Sequence, residues 1–260
     1  MPPISATIIT HNEAKNIARC IGSLACADEI IVVDADSTDR TREIAAGLGA
    51  AVLLQPWEGF AAQKNFAARR ARYDWIVSLD ADEELDRAAQ LAVARWKTAS
   101  PSAAAYRFRR RARYLGRWIR HSGWYPDYKT RLYDRRHGEW QGEYVHESVR
   151  VRGNVETLPG EILHYTCDSL EEHRQRIEFY TNLAVAELLN RGVHPSRARR
   201  ALLPAWTFVH SYFLRAGFLD GPQGFWIAWM AARYVARKYQ KWSDLAGAQN
   251  SGTVAKSPKP

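Results

Sequence analysis

Residues 74–86 read DWIVSLDADEELD, which begins as an apolar strand and ends as a cluster of acids. The run from Trp75 to Leu79 carries no charge, and the acidic residues that follow it are Asp80, Asp82, Glu83, Glu84 and Asp86. Like charges held this close repel one another, in a chain whose formal net charge is nevertheless +9. The stretch therefore predicts a compensating cation, and a metal ion is the first candidate.

Two further apolar runs of strand length precede this one, from Ile4 to Thr10 and from Glu29 to Val33. Stretches with helical character separate the runs, and these are Glu13 to Leu24, Thr38 to Leu48 and Gln63 to Arg72. Strands that alternate with helices and are apolar on both faces are typical of a parallel sheet covered by helices. We therefore predict an α/β fold with a Rossmann-like, mostly parallel sheet.

Polar residues follow each of the three predicted strands. The strand ends are Thr10-His11-Asn12-Glu13, Asp34-Ala35-Asp36-Ser37-Thr38-Asp39 and Asp80-Ala81-Asp82-Glu83. Ligands bind beyond the carboxyl ends of such strands, so we expect one polar rim. Taken singly, Asn12, Ser37 and Asp39 also fit the alternative of ordinary helix N-caps.

We expect Asp80 and Asp82 to point into the same corner, because residues i and i+2 share a face of an extended chain. Carboxylates of this kind suit Mg²⁺ or Mn²⁺, which usually complete their shells with water and substrate phosphates. The chain has neither a GxGxxG nor a GxxxxGK[ST] motif, so a nucleotide would be held by carboxylates and a metal instead of a glycine-rich loop.

The bulk composition is that of a globular protein of 260 residues, with 46% hydrophobic and 25% charged residues. Its three cysteines, Cys20, Cys26 and Cys167, show no CxxC spacing, which favours a reducing compartment over a disulfide framework. The first residues lack the pattern of a signal peptide, so we expect a cytoplasmic protein. The positive charge predicts an anionic partner: nucleic acid, a membrane surface or a phosphorylated substrate.

The stretch from Tyr106 to Tyr114 alternates aromatic and basic residues like a strand with a cationic face, which Arg117 and Arg120 extend. It fits either a solvated edge strand or a face that binds phosphate.

A helix is predicted from Ser169 to Asn190. The apolar stretches Ala201 to Leu214 and Phe225 to Ala232 are too short to span a bilayer. Their aromatic and cationic composition suits a helix lying in a membrane interface, although core packing is the alternative.

We predict three parts from these patterns: an α/β domain over residues 1–168, a helical extension over 169–242 that is the candidate membrane-facing part, and a flexible tail over 243–260.

The ordered motifs resemble those of the family 2 glycosyltransferases, which have the GT-A fold. The motifs are Ile8 to Glu13, Ile31 to Thr41, Gln63-Lys64-Asn65 and Leu79 to Glu83. Within the family they are similar to the lipopolysaccharide core β-1,4-glucosyltransferases of the WaaE or KdtX type. Shorter signatures extend the resemblance, namely Trp124 to Tyr133, Val145-His146-Glu147, Leu163-His164-Tyr165 and Gly221 to Phe225.

The resemblance implies roles for residues of the polar rim. Those placed where the nucleotide-sugar binds are Thr10, Asn12, Glu13, Asp34, Lys64 and Asp80. Asp82 would ligate the metal directly, and Asp80 would face both the ribose and the metal. Many relatives have adjacent aspartates after the second strand, whereas this chain has Asp34-Ala35-Asp36, so either carboxylate is a candidate for holding the base.

The resemblance also implies inversion at the anomeric carbon, which requires a base for the acceptor hydroxyl. Glu147 is the first candidate and Asp127 the second. His146 would position the base or donate to a phosphate, although His146-Glu147 also fits a surface pair at a strand end. Arg131 and His164 are candidates to meet the diphosphate.

These expectations combine into an inverting, metal-dependent transfer of a hexose, glucose being the first choice, from a UDP-sugar. The expected acceptor is a lipid-linked phosphorylated saccharide, the heptose of the lipopolysaccharide inner core, reached by peripheral contact with the cytoplasmic face of the membrane. The alternatives are a polyprenyl-phosphate or capsule acceptor, a nucleotidyltransferase acting on sugar phosphates, and a basic nucleic-acid-binding module. The last leaves the acidic strand ends unexplained, so we expect no nucleic-acid partner.

Overall fold

The structure of the protein is a computed structural model that describes residues 1–142, 147–194 and 196–250, with side chains up to residue 246. The chain divides into two compact units. Unit 1 comprises Met1–Arg113 and Trp124–Thr166, and unit 2 comprises Tyr114–Gly123 and the chain from Cys167 onward. Residues 114–123, which the sequence suggested as part of the first domain, thus group with the helical part.

Residues 114–123 belong to unit 2 through the buried carboxylate of Asp220, which accepts hydrogen bonds from the backbone N–H groups of Arg120 (3.2 Å) and His121 (2.8 Å).

Unit 1 is built on a mixed sheet in which eight strands follow one another in the order β3-β2-β1-β4-β8-β6-β11-β5. The strands of the chain are β1 (Ile4–Thr10), β2 (Glu29–Asp34), β3 (Ala51–Leu54), β4 (Trp75–Asp80), β5 (Glu83–Leu85), β6 (Ala105–Tyr114), β7 (Arg117–Trp118), β8 (Asp127–Asp134), β9 (Gly138–Gln141), β10 (Ser148–Val151) and β11 (Val155–Cys167). The first four strands of that order are parallel, whereas β8 pairs antiparallel with both β4 and β6. β9 and β10 form a separate antiparallel pair.

The helices of unit 1 are α1 (Ile17–Gly22), α2 (Thr41–Gly47), α3 (Phe60–Arg70) and α4 (Arg87–Thr98). α1 starts four residues later than the predicted Glu13. The reason is local: Asn12 has a left-handed backbone with φ of 54°, and the Glu13 carbonyl accepts from the N–H groups of Asn16 and Ile17 in a turn. The polar rim therefore lies on loops and not on the first turns of helices.

The core of unit 1 lies on both faces of the sheet. Ile8, Val32 and Leu79 belong to one buried cluster, whereas Ile9 and Val33 belong to the other. Every residue of β1 is buried, as expected for a central parallel strand covered on both sides. The continuous apolar runs in the sequence follow from this double burial.

Among the strands that differ from the expectation are β3 and β6. β3 was not predicted, because its four residues are only partly buried or exposed and give no clear apolar pattern. β6 lies between β8 and β11, so the interpretation of this stretch as an edge strand is wrong.

Unit 2 is mainly helical, with α5 (Leu170–Asn190), α6 (Arg197–Val209) and α7 (Pro222–Asn250). A π-helical turn (His210–Leu214) and a 3₁₀ turn (Gly217–Asp220) connect α6 to α7. α7 continues to Asn250, so residues 243–250, expected to be part of a flexible tail, are helical. Within the part of the chain that the structure describes, none of the helices combines the length and the apolar character needed to cross a membrane.

Candidate functional site

The three predicted strand ends meet at one edge of the sheet. In the parallel registers Thr10 lies opposite Asp34, and Ile9 lies opposite Asp80. The carboxyl ends of β1, β2 and β4 are therefore neighbours, which confirms the predicted polar rim. This is the edge at which open α/β sheets bind their ligands.

The loops after β1 and β2 are bonded to each other. The side-chain Oδ1 of Asn12 accepts from the Thr38 N–H (2.8 Å), and the Asn12 N–H donates to the Ser37 hydroxyl (2.8 Å). Asn16 and Arg40 are the residues that precede α1 and α2, so the N-cap interpretation is wrong for Asn12 and Ser37. These two residues instead join one loop to the other.

The two acids of the second strand end differ in exposure. Asp34 is fully buried, and its Oδ1 accepts from the Ser37 N–H at 2.9 Å. Asp36 is exposed and has a left-handed backbone, with φ of 58°. Thr10 is also buried. The Glu13 side chain accepts from the Asn16 amide at 2.6 Å.

A chain of ion pairs runs along the rim beyond β4. Lys64 of α3, which has no exposed surface, lies 2.8 Å from Asp80 Oδ1. Arg131 of β8 lies 2.9 Å from Asp80 Oδ2 and 2.7 Å from Glu83 Oε2. Arg110 of β6 lies 3.0 Å from Glu83 Oε1. The buried acids of the opening stretch are therefore compensated, at least in part, by cations of the protein itself.

The two candidate bases lie at the ends of this charge network. Glu147, which precedes β10, lies 3.3 Å from Lys64 through its Oε1. Asp127, at the start of β8, pairs with Arg110 at 2.7 Å and with Lys129 at 3.2 Å. His146 lies outside the described residues. The structure thus brings Glu147 and Asp127 into the same network as Lys64.

The network keeps its acids ionised. Burial by itself would raise the pKa of Asp80, but the Lys64 ammonium and the Arg131 guanidinium hold that pKa well below its usual range. Burial opposes ionisation of Glu83 in the same way, yet Arg131 and Arg110 lower the pKa of Glu83 to about 2. The same carboxylates raise the pKa of Arg131 above its ordinary value.

Asp82 lies apart from the charge network and meets a histidine. The hydrogen bond from the Tyr165 N–H to the Asp82 carbonyl (2.9 Å) aligns β11 with the loop after β4. This alignment brings His164 Nε2 within 3.2 Å of Asp82 Oδ2. A carboxylate and an imidazole are both metal ligands.

The donor set around Asp82 fits a metal ion only if a substrate supplies further oxygens. No group of three or more His, Cys, Asp or Glu side chains within residues 1–142, 147–194 and 196–246 is arranged to hold an ion. Mg²⁺ and similar ions are usually bound by one or two carboxylates together with substrate phosphates. Asp82 supplies one such carboxylate, with the His164 imidazole beside it, whereas both oxygens of Asp80 already contact cations.

Two members of the network were not predicted as site residues. Glu83 and Arg110 join the network because of strand pairing. β8 and β6 bring arginines from distant positions in the sequence to the end of β4. A signal was present in the sequence: an acid directly after Asp82 and a run of arginines. Whether the acid and the arginines meet depends on the order of the strands, which the local sequence does not indicate.

Comparison with known proteins shows the family of the chain. The sequence model described as glycosyl transferase family 2 matches residues 5–158. The chain belongs to this family. An uncharacterized glycosyltransferase of Rickettsia bellii is 35% identical to this family 2 glycosyltransferase over 235 residues, which cover 85% of this chain and 80% of the relative.

Two further likenesses cover most of the chain. The lipopolysaccharide core biosynthesis glycosyltransferase LpsC of Rhizobium meliloti is 30% identical over 250 residues, which cover 92% of this chain and 93% of LpsC. Among solved structures, residues 1–349 of S. aureus TarS in complex with UDP-GlcNAc match with 15% identity and a TM-score of 0.47, covering 98% of this chain and 93% of that one.

The predicted GT-A fold class is confirmed, with a sheet that is mixed instead of mostly parallel because β8 pairs antiparallel with β4 and β6, and β11 with β5. The mixed sheet of unit 1, with helices on both faces and a C-terminal helical part, is a GT-A-like fold. The predicted resemblance to family 2 glycosyltransferases that include a lipopolysaccharide core enzyme is confirmed as well.

Proposed function

We propose that this family 2 glycosyltransferase moves a hexose, glucose as first choice, from a UDP-sugar to a lipid-linked saccharide, with inversion at the anomeric carbon. The observation that carries the proposal is the charge network at the carboxyl edge of the sheet, next to the Asp82–His164 pair. Buried cations and carboxylates held together at this edge suit a ligand that combines a diphosphate with a metal ion.

The loops after β1 and β2 supply the part of the site that holds the nucleoside. Asn12 and Asp34 are held rigidly by their bonds to the Thr38 and Ser37 N–H groups, and Thr10 and Glu13 flank them. Asp36 is the exposed alternative to Asp34 for the base. Rigid donors and acceptors lower the entropy cost of binding.

Asp82 and His164 would hold Mn²⁺ or Mg²⁺. When bound, such an ion acts as a Lewis acid that stabilises negative charge on the departing diphosphate. Asp80, predicted as the second ligand, is the carboxylate that faces the ribose in this proposal, because Lys64 and Arg131 occupy its two oxygens. Arg131 therefore acts by positioning Asp80. Lys64, predicted to meet the phosphates or the base, has no exposed surface, so in this proposal it also acts by positioning Asp80.

Glu147 is the proposed base. The acceptor oxygen bonds to the anomeric carbon while the bond from that carbon to the diphosphate oxygen breaks. The acceptor proton passes to the Glu147 carboxylate, and UDP leaves with the electron pair. Asp127 is the weaker candidate because two cations, Arg110 and Lys129, contact its two oxygens. A base of this type contributes roughly 10²–10⁴-fold to the rate.

The heptose of the lipopolysaccharide inner core is the proposed acceptor, and LpsC supports it as a relative over nearly the whole chain. We place the enzyme in the cytoplasm with peripheral contact at the inner face of the cell membrane. A polyprenyl-phosphate or capsule intermediate is the alternative acceptor. Competition between the two acceptor types for transfer would separate them.

The donor site is tested by calorimetric titration of UDP, with GDP as control, into the full chain with and without Mn²⁺. We expect UDP to bind more tightly when Mn²⁺ is present, and Asp82→Asn to weaken that binding at least about tenfold. Asp74→Asn is the matched control, because Asp74 precedes the opposite end of β4 and is paired with Arg135.

Two results would contradict the proposal. Equal binding of UDP with and without Mn²⁺ in both wild type and Asp82→Asn would show that the metal takes no part in donor binding. No UDP binding under any condition, together with salt-sensitive binding of a random oligonucleotide, would favour a basic nucleic-acid module instead.

A further inference from the structure

Helix α6 of unit 2 exposes its apolar side chains instead of burying them. No residue of α6 is buried, although more than half of its sequence, RARRALLPAWTFV, is apolar. Leu202 is 69% exposed and Trp206 54% exposed. Val209 and Phe213 continue the same stripe at helical spacing into the π-helical turn. A helix that packs only within its own protein would turn such a stripe toward the core.

The exposed side chains continue through the turn into α7. We call this set the apolar surface, and its members are Leu202, Trp206, Val209, Phe213, Leu214, Phe218, Leu219, Phe225 and Trp229. Tyr212 joins several of them, since its ring lies 5.1 Å from Phe213, 6.3 Å from Phe218 and 6.0 Å from Phe225. Phe225 in turn stacks on Trp229 at 6.4 Å. Connected apolar surface of this kind marks an interaction site.

Cations surround the apolar surface. Arg197 and Arg199 are exposed at the start of α6, and Arg215 is exposed directly after Leu214. Arg117, also exposed, donates to the Leu219 carbonyl at 3.3 Å. These exposed guanidinium groups therefore flank the apolar side chains in the chain, and that of Arg117 contacts the backbone of Leu219 directly.

The same segment is almost without acids. Between residues 192 and 243 the sequence has eight Lys and Arg residues and one acid, Asp220. Asp220 is 2% exposed and accepts from the His121 N–H, so its charge lies within the fold. A second copy of this chain would bring the same cations against each other, whereas an anionic surface would be attracted to all of them.

We infer that the apolar surface docks onto an anionic lipid bilayer, with Trp206, Phe213 and Leu214 below the headgroups and the surrounding arginines at their level. Amphipathic helices with large aromatic residues on one face and cations on the other bind membranes in this way. The inference deepens the proposed function by naming the membrane-contacting residues. It rests on the proposed function in one respect: the membrane contact would serve to keep the enzyme near a lipid-linked acceptor.

Vesicle co-sedimentation of the full chain tests the inference. We expect the wild type to bind vesicles of phosphatidylcholine with phosphatidylglycerol more tightly than vesicles of phosphatidylcholine alone, and to release them as salt rises. The double variant Trp206→Glu, Phe213→Glu should weaken binding at least about tenfold. Arg215→Gln should weaken it about fivefold.

Two control variants separate the surface from general effects. Phe179→Glu replaces an aromatic residue of α5 that is 53% exposed and lies outside the apolar surface, and Arg95→Gln removes an exposed cation of α4 in unit 1. Neither should change vesicle binding. Circular dichroism checks that each variant is folded, and the UDP titration checks the donor site independently of lipid.

Three results would overturn the inference. Equally strong binding to both vesicle types would show that anionic lipid is not required. No binding to either type would show that the apolar surface does not dock onto a membrane. The third is a stable dimer in solution that Trp206→Glu, Phe213→Glu dissociates, without vesicle binding by the wild type. That result would assign the apolar surface to a second copy of the chain. If one of these results were obtained while UDP binding was intact, the membrane inference would be overturned but the proposed donor site would not.

Discussion

Unit 1 and unit 2 use their charged residues in opposite ways. At the rim of unit 1, Lys64, Arg131 and Arg110 are buried or half-buried and each contacts carboxylates. On unit 2, Arg197 and Arg215 are exposed beside exposed apolar side chains. Buried ion pairs hold groups in fixed positions, as a site for chemistry requires, whereas exposed cations attract a partner over a distance. The difference fits the proposed division of roles, with chemistry in unit 1 and surface binding in unit 2.

The largest effect is expected at the end of the charge network. Glu147→Gln removes the proposed base, so turnover with UDP-glucose and an acceptor should fall by roughly 10²–10⁴-fold. The dissociation constant for UDP should change little, because the donor contacts remain. Turnover is measured by release of UDP. Asp127→Asn is the matched variant, and a loss of rate in that variant alone would transfer the role of base to Asp127.

Removing the central cation should destabilise unit 1. Arg131→Met leaves Asp80 and Glu83 as buried carboxylates without their shared partner, which should cost about 3–5 kcal/mol of unfolding free energy. Urea unfolding measures the loss. Arg40→Met is the control, since Arg40 pairs with Glu43 on the surface and such pairs contribute about 0–1 kcal/mol. Equal losses in the two variants would show that the rim is not held by its buried pairs.

Much of this site could be predicted from the sequence, and the missing part has a physical reason. Asp34 and Asp80 follow apolar strands, and parallel strands place their carboxyl ends side by side, so the rim was predictable. The partners of Asp80 were harder to predict. Arg131 is 51 residues away and reaches Asp80 only because β8 enters the sheet antiparallel beside β4. Local sequence carries no signal for that order of strands.

Acid should affect the two units differently. Glu83 of unit 1 has a pKa of about 2, so it stays ionised as the pH falls to mild acidity. In unit 2 the His173 ring lies 2.7 Å from the Tyr114 hydroxyl. Burial, with the Arg176 charge acting in the same direction, lowers the pKa of His173 to about 4. Because the folded pKa lies below the ordinary 6.5, stability from neutral His173 is present above pH 6.5 and is lost as the pH falls toward 4.

The expected loss from His173 is no more than about 2 kcal/mol, since the ring is only partly buried. Hydrogen exchange between pH 7 and 4 should show α5 opening before the strands of unit 1, with rates corrected for the intrinsic effect of pH. His173→Gln removes the titrating group and should flatten the pH dependence in α5. An unchanged profile in that variant would place the acid-sensitive group elsewhere.

The helical unit shows what an apolar pattern leaves undecided. The stretches around Trp206 and Trp229 fitted both core packing and a membrane interface, because periodicity reports which residues share a face and not what covers that face. The structure separates them within one helix: on α7, Ile227 is 1% exposed, whereas Trp229 is 50% exposed. The packing of α7 against its neighbours, α5 and α6 among them, decides which of its side chains are covered.

The smallest effect is expected at the exposed tryptophan of α6. Trp206→Gln replaces an exposed tryptophan with a residue of good helix propensity, so the unfolding free energy should change by no more than about 0.5 kcal/mol. Ile227→Ala, its buried counterpart, should cost about 2–5 kcal/mol. Urea unfolding of both variants gives the contrast. If Trp206→Gln destabilised the protein as much as Ile227→Ala, the tryptophan would contribute to the packing of unit 2, and the apolar surface would be part of the core. A small change would mean that the fold gains little from Trp206, so that a large exposed aromatic residue at this position must be explained by what it binds.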